Sequence, residues 1–187
     1  MQDKAAFRKK KRAEIRMLPE EYLRQSDAAI LAGLLSLPEY RASGRLFAYC
    51  SVGREVDTQE ILRLAAADGK EIFLPVVLGD GLMEYARFDG ADSLDAGFKD
   101  IPEPGPDALR DTPNAQDLLL VPGVCFDAEN YRMGQGGGYY DRYLAHTKAI
   151  TVGLARERLM PVSVPREAFD RPVDILLTDA RVLRRIK

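Results

Sequence analysis

The sequence predicts an α/β protein with a mostly parallel sheet flanked by helices, and three observations predict it. Strand-like and helix-like patterns alternate along the chain. Residues 45–77 read strand, helix, strand in about 30 residues, the length of a right-handed βαβ crossover. Residues 117–121, 149–154 and 173–178 are apolar runs, as strands buried on both faces are.

The elements follow in order. Residues 3–17 contain no helix breaker, and Lys4, Arg8 and Arg12 recur every fourth position on one face. Leu18-Pro19-Glu20-Glu21 starts a second helix, with proline in its first turn and acids near the positive end of its dipole. Leu23, Ile30, Leu31, Leu34 and Leu35 keep helical spacing, and Pro38 is expected to end it. A strand over 45–50 leads to a helix entered through an Asp57/Glu60 capping box. Ile61, Leu62, Leu64 and Ala65 form the apolar face of that helix, and Gly69 suits its C-terminal cap. Strands over 71–77 and 83–88 come next. Residues 89–116, rich in Gly, Pro and Asp and without periodicity, predict a long surface loop. Glycine-rich 134–138 runs into a helix over 139–147.

The 187 residues, 46% of them hydrophobic, suffice for one domain spanning 1–187, with no repeat or linker to divide it. A net charge of −2 calls for neither nucleic acid nor an anionic membrane. The basic groups Lys9, Lys10, Lys11 and Arg12 at one end, and Arg181, Arg184, Arg185 and Lys187 at the other, read as solvated faces or tails. No apolar stretch approaches the ~20 residues that span a bilayer, and no apolar core of a signal peptide follows the N-terminal charges. A cytoplasmic monomer is expected, with Cys50 and Cys125 as reduced, partly buried thiols. Two cysteines and one histidine, His146, argue against a zinc site.

The segment 118–144, LLLVPGVCFDAENYRMGQGGGYYDRYL, is where chemistry concentrates. A buried strand passes through Pro122-Gly123 into a loop, and Gly134, Gly136, Gly137 and Gly138 lead into a helix. Glycines let backbone N–H groups approach a ligand, and a helix start adds free donors, so together they can cradle phosphate. No Lys-Ser/Thr pair follows, so this is not a Walker A loop, and the spacing is not a dinucleotide fingerprint. By physics alone a plain flexible loop fits about as well. Four glycines in five positions, tied to a strand and a helix, favour the cradle.

The order of buried strand, Pro-Gly, Phe-Asp, Arg, glycine run and Tyr-Tyr-Asp-Arg resembles the signature of the 5-formyltetrahydrofolate cyclo-ligases, also called methenyltetrahydrofolate synthetases. Lys4 with Arg8, Glu55-Val56-Asp57-Thr58, Ile101-Pro102-Glu103-Pro104 and Val173-Asp174 match in the same order. The resemblance implies a three-layer domain around a mixed sheet, with ATP and folate meeting at the strand ends. It implies that ATP and Mg²⁺ serve to close 5-formyltetrahydrofolate into 5,10-methenyltetrahydrofolate, with no protein nucleophile.

Carried over residue by residue, the resemblance gives Lys4 and Arg8 to the ATP phosphates, together with Arg132, Met133, Gly134, Gln135, Gly136, Gly137, Gly138, Tyr139 and Tyr140. It gives Cys50, Glu55, Gln135, Gly136, Gly137, Gly138 and Tyr139 to the folate, and Asp141 and Asp174 to the metal. Gln135 stands where some members carry arginine, and Gly137 where some carry lysine. Each residue also has an ordinary reading. Lys4 and Arg8 suit a solvated helix face, Tyr139 and Tyr140 core packing, Asp141 helix electrostatics, Asp174 a strand start, and Glu55 a surface loop. Other functions weighed on the same residues are an isomerase or acyl-transferase-like enzyme, a non-catalytic folate- or nucleotide-binding protein, and a nucleic-acid binder using the basic N-terminal helix.

Overall fold

A computed structural model describes residues 3–185 of the chain; Lys187 lies outside them. In order, the elements are α1 (Lys4–Arg16), α2 (Glu20–Ser36), α3 (Pro38–Ala42), β1 (Arg45–Phe47), α4 (Gln59–Ala67), β2 (Glu71–Gly79), β3 (Leu82–Phe88), β4 (Leu94–Ala96), β5 (Pro102–Pro104), β6 (Arg110–Asp111), β7 (Leu118–Val121), β8 (Cys125–Phe126), β9 (Arg132–Met133), α5 (Tyr139–Leu144), β10 (Ile150–Ala155), β11 (Ile175–Thr178) and β12 (Val182–Arg184).

Among the described residues, eight strands form one sheet in the order β12-β11-β10-β7-β1-β2-β3-β6. The strands β2, β1, β7, β10 and β11 are parallel, and β12, β3 and β6 add antiparallel edges. The parallel strands are buried on both faces, which is why their sequences are continuous apolar runs. Period-two alternation divides their side chains between two cores. Leu118 and Leu120 face the helices α2, α3 and α4, meeting Ile30, Leu34, Tyr40, Ile61 and Ala65. Leu119 and Val121 face the other way, onto Phe47, Phe73, Phe126 and Leu144 of α5. The result is helices, sheet, then α5 with the β8–β9 hairpin. A third, smaller cluster, with Phe7, Val124, Cys125, Met133 and Val164, seats α1 over that hairpin.

Local chemistry accounts for most boundaries. Asp3 accepts from the Ala5 N–H at 2.9 Å and caps α1. Gly69, at φ 77°, closes α4 in the left-handed region. As expected, the second helix stops before Pro38: α2 ends at Ser36, and Pro38 then opens the short α3, where its missing N–H costs nothing. Two expectations need correction. The Asp57/Glu60 box does not form; Asp57 accepts from Gln59 N–H at 2.8 Å, while Glu60 pairs with Arg63. The 89–116 segment is not irregular throughout, since β4 pairs with β5 and β6 with β3. Strands of two or three residues carry too little alternation to be seen in a sequence.

Phe47 lies at the centre of the second core, stacked on Phe73 at 4.6 Å and edge-on to Tyr85 at 5.3 Å. Truncating it removes both ring contacts and leaves a cavity. Phe47→Ala is expected to lower unfolding free energy by about 3–5 kcal/mol, read from the urea midpoint at unchanged slope; a loss under about 1 kcal/mol would show that this core collapses freely.

Candidate active site

The parallel strands dictate where a cleft can open. From β1 the chain crosses to β2 on one side, yet β7 lies on β1's other side. The loops leaving β1 and β7 therefore part in opposite directions, and a crevice forms outside their carboxyl ends. A cavity of about 250 Å³ occupies it. Its walls include Tyr49 and Glu55 after β1, Gly123 after β7 and Arg156 after β10, with Arg12 and Ile15 of α1 across the opening.

The loop carrying Glu55 is tied down from within. Thr58 is buried; its hydroxyl donates to the Tyr49 carbonyl at 2.7 Å and accepts from Ser51 N–H at 2.9 Å. Arg156, buried at the end of β10, holds the loop from below. It donates to the carbonyls of Arg54 and Glu55 at 3.0 and 3.1 Å, to the Ser26 hydroxyl at 2.9 Å and to Asp27 at 2.5 Å. Arg54 reaches across to the carbonyls of Ile15 and Leu18, so the loop and α1 are joined. The Glu55 carboxylate accepts from Val52 N–H at 3.1 Å and from the Gln135 amide at 3.3 Å. Burial pushes its carboxyl above the usual value, and those two donors only partly offset it.

The glycine-rich loop forms the facing wall. Gly136 and Gly138 adopt φ of 105° and 72°, the region that favours glycine. A Cβ on Gly136 would come within 3.3 Å of the Arg8 guanidinium. Among the described residues, the N–H groups of Gly136, Gly137 and Gly138 donate to no protein acceptor. The helix that follows has six residues, Tyr139–Leu144, shorter than the predicted 139–147, so its dipole adds little. Positive charge comes instead from α1. Arg8 donates to the Gly134 carbonyl at 2.8 Å, and Arg12 to the Gln135 side chain at 2.5 Å.

Other expected site residues lie in varied places. Lys4 donates to Glu167 and Asp170 at 2.8 and 2.7 Å; burial opposes its charge, but these two bonds outweigh it and raise its pKa. Arg132 is buried and donates to Asp141 at 2.7 Å, while its buried Nε has no partner among the described residues. Burial pulls this guanidinium down from its ordinary value against the pull of Asp141. Met133 is buried in the small cluster beneath α1. Tyr139 lies 6.1 Å from the Phe98 ring, and the Tyr140 and Tyr85 hydroxyls hydrogen-bond at 3.3 Å. Cys50 packs against the main core, and burial raises its thiol; burial pushes Cys125 up to about 12. Both are free and protonated near neutrality, the inert condition of buried thiols.

The two aspartates expected at a metal differ in setting. Asp141 is half-buried, and its Oδ1 accepts from Arg132 while no protein donor among the described residues engages Oδ2. Asp174 stands before β11, at the amino ends of the parallel strands, where its Oδ2 accepts from Thr151 N–H and hydroxyl at 3.0 and 2.8 Å. Among the described residues no three His, Cys, Asp or Glu side chains converge. That donor set fits Mg²⁺ carried on phosphates, which needs one or two carboxylates, and not a caged ion.

Sequence reasoning overlooked several residues that shape the cleft. Lys11 is buried and bonds Glu14 at 2.6 Å, so it is not part of a solvated face, whereas Arg12 is exposed, as expected, and also lines the cavity. Arg156 and Arg54 carried no signal, since each is one charge among many in a sequence rich in charge, and Asp127 entered only as the Asp of the Phe-Asp step, with no role attached. Asp127 is fully buried and accepts from the N–H groups of Glu129, Tyr131 and Val164 and from Arg166.

Residues 1–179 match the model of the 5-formyltetrahydrofolate cyclo-ligase family. The chain is 28% identical to a probable 5-formyltetrahydrofolate cyclo-ligase of Schizosaccharomyces pombe, over 90% of this chain and 91% of that one. It is 30% identical to the 5-formyltetrahydrofolate cyclo-ligase of Mus musculus, over 84% of each. Its fold matches the 5,10-methenyltetrahydrofolate synthetase of Aquifex aeolicus with a TM-score of 0.84 at 36% identity, covering 97% of this chain and 92% of the other.

Glu55 keeps a charge in a place that penalises it, and the sign of the effect follows. Its raised folded pKa means the folded state holds the proton more tightly than the unfolded chain. That contribution is fully present below 4.5 and is lost as pH rises through the raised value. Glu55→Gln is therefore expected to be more stable than the wild type at pH 7, with the difference closing as pH falls below 4.5. Equal urea midpoints at pH 7 would refute this account of the carboxyl.

Proposed function

The chain belongs to the 5-formyltetrahydrofolate cyclo-ligase family, and from that premise we propose that it closes 5-formyltetrahydrofolate into 5,10-methenyltetrahydrofolate with ATP, releasing ADP and phosphate. One observation carries the reading. The Gln135 amide links the glycine-rich loop to the Glu55 carboxylate at 3.3 Å, so a wall of unengaged glycine N–H groups and a half-buried acid share one crevice.

The chemistry required matches these parts. The N5 formyl group is an amide, with a weakly electrophilic carbon and a poorly leaving oxygen. That oxygen attacks the γ-phosphorus, ADP departs, and a phosphorylated iminium forms. N10 adds to the carbon and gives up its proton; phosphate then leaves, and the methenyl bridge remains. Phosphoryl transfer of this kind needs alignment and charge neutralisation more than a protein nucleophile. The free N–H groups of Gly136, Gly137 and Gly138 are suited to phosphate oxygens, with Arg8 beside them. Lys4 reaches phosphate on exchanging Asp170 or Glu167 for it. Arg132 serves by fixing Asp141. Glu55 accepts from the ring N–H and amino groups of the pterin, a planar recognition that a carboxylate favours. Cys50 supports that wall by packing.

Mg²⁺ would supply charge neutralisation on the phosphates. Asp141, with Oδ2 uncommitted, is the carboxylate suited to it, and Asp174 would join only after leaving Thr151. The reading extends to a single domain acting as a cytoplasmic monomer. No helix among the described residues is long and apolar enough to cross a membrane.

The test mixes purified protein with 5-formyltetrahydrofolate, ATP and Mg²⁺ and follows the methenyl product by its near-ultraviolet absorbance. Product should require both ATP and Mg²⁺, and Asp141→Asn should lower kcat on the order of 10²-fold. Glu55→Gln should raise KM for the folate about tenfold, because a hydrogen bond to a charged group is lost, with KM for ATP unchanged. A folded wild type without turnover would defeat the proposal.

A further inference from the structure

Among the described residues, Arg156 is the most deeply buried cation, 3% exposed, in the wall of the crevice at the carboxyl end of β10. Desolvating a guanidinium is costly, and an apolar side chain would fill the same wall without that cost. The partners of Arg156 account for its presence. Nε donates to the Ser26 hydroxyl and Nη2 to Asp27, both on α2. Nη1 and Nη2 donate to the successive carbonyls of Arg54 and Glu55. One planar fork therefore joins β10, α2 and the loop that carries Glu55.

The rest of the loop closes on the same point. Asp27 Oδ1, which takes the Arg156 bond, also accepts from Asp57 N–H at 3.3 Å. Burial raises the Asp27 carboxyl even with Arg156 beside it, so the pair stands where water solvates it poorly. Ser26 is buried, and its hydroxyl donates to the Leu23 carbonyl at 2.9 Å, which orients the oxygen that Arg156 uses. The root of Arg156 is equally fixed. Its own carbonyl accepts from Leu159 N–H at 2.9 Å, and the next residue, Glu157, donates its N–H to Asp179 at 2.7 Å. Among the described residues, the Glu55 carboxylate itself is held by Val52 N–H, in its own loop, and by the Gln135 amide. Its direction therefore follows the loop backbone, at the carbonyl that Arg156 grips.

Resting on the ligase reading above, we infer that Arg156, with Asp27 behind it, is a positioning residue for the folate: it aims the Glu55 carboxylate at its donors and plays no part in binding ATP. Paired recognition by a carboxylate needs both oxygens in line with two donors, so a small rotation of the loop forfeits a bond. A lysine at this place keeps the charge but loses the fork. Its three donors cannot hold Ser26, Asp27 and two carbonyls together. Arg8, on the Gly134 carbonyl, and the N–H groups of Gly136, Gly137 and Gly138 make no bond to Arg156 among the described residues, so the effect is confined to one substrate.

The experiment measures equilibrium binding of 5-formyltetrahydrofolate and, separately, of ATP to the full chain by calorimetry, with KM and kcat taken from the methenyl absorbance. The variants are Arg156→Lys, Asp27→Ala, Glu55→Gln, and Arg156→Lys combined with Glu55→Gln. Asp27 is half-buried on α2, a helix that alanine suits, so Asp27→Ala decides the matter if Arg156→Lys does not fold. Arg156→Lys and Asp27→Ala should each weaken the folate about tenfold and leave ATP binding and kcat within about twofold, the pattern of lost ground-state binding. In the Glu55→Gln background, Arg156→Lys should weaken the folate by less than about twofold further, because the amide cannot make the paired contact that Arg156 aims. Unchanged folate binding in either folded single variant, equal weakening of folate and ATP, an undiminished effect in the Glu55→Gln background, or no folate binding by the wild type would overturn the assignment. Turnover is scored independently. A wild type that shows this binding pattern without forming product supports the assignment and defeats the ligase reading; one that forms product without the pattern defeats the assignment alone.

Discussion

The strand order around β1 is the constraint on which the rest of the molecule depends. Once β2 and β7 flank β1 on opposite sides, the backbone leaving β1 and β7 must diverge, and the space between has no sheet to fill it. Everything near that gap is arranged to stabilise its edges. Arg156, at the end of the neighbouring β10, satisfies two carbonyls of the β1 loop. Arg54, in that loop, satisfies the carbonyl of Ile15 at the end of α1 and that of Leu18 in the link to α2. Neither arginine needs a ligand to be held in place, so the walls of the crevice are set before substrate arrives, which limits the ordering cost of binding.

Charge in the cleft is balanced internally. Lys4 has two carboxylate partners and Arg132 has one, while Arg8 and Arg12 use backbone and amide oxygens. An anionic ligand approaching Lys4 would have to exchange with these carboxylates, so one of little charge could not compete with Asp170 or Glu167. Glu55 is the opposite case. Its carboxylate is half-buried with two neutral donors, so the free protein carries an electrostatic penalty there that a ligand presenting N–H groups would relieve. Strain of this kind is expected where stability is given up for recognition.

The α1 helix links these parts. One face, through Phe7, packs on the β8–β9 hairpin, and the four-residue repeat of Lys4, Arg8 and Arg12 then spaces these cations one turn apart, from Glu167 and Asp170 to the glycine-rich loop. The repeat that makes the helix look like a solvated tail is thus the repeat that sets Arg8 on the Gly134 carbonyl and Arg12 on the Gln135 side chain.

Much of this was legible in the sequence. Long periodic runs announced α1, α2 and α4 and the buried strands β7, β10 and β11, because burial on both faces leaves no room for polar residues. The motif order identified the family, and with it the expected crevice at the strand ends. The sequence could not show the two-residue strands β6, β8 and β9, which are too short to carry an alternation; β6 in addition depends on β3, more remote in the chain. It could not show that Lys11 is buried, or that Asp174 is committed to Thr151 at the amino end of the sheet. Nor could it reveal Arg156 as the anchor of the Glu55 loop, since the contact joins residues about a hundred positions apart. Local pattern reports which surface a residue prefers, and pattern alone determined the α/β class here. Which charge meets which, and where beside the glycine-rich loop the crevice opens, was decided only when the sheet brought those distant segments together.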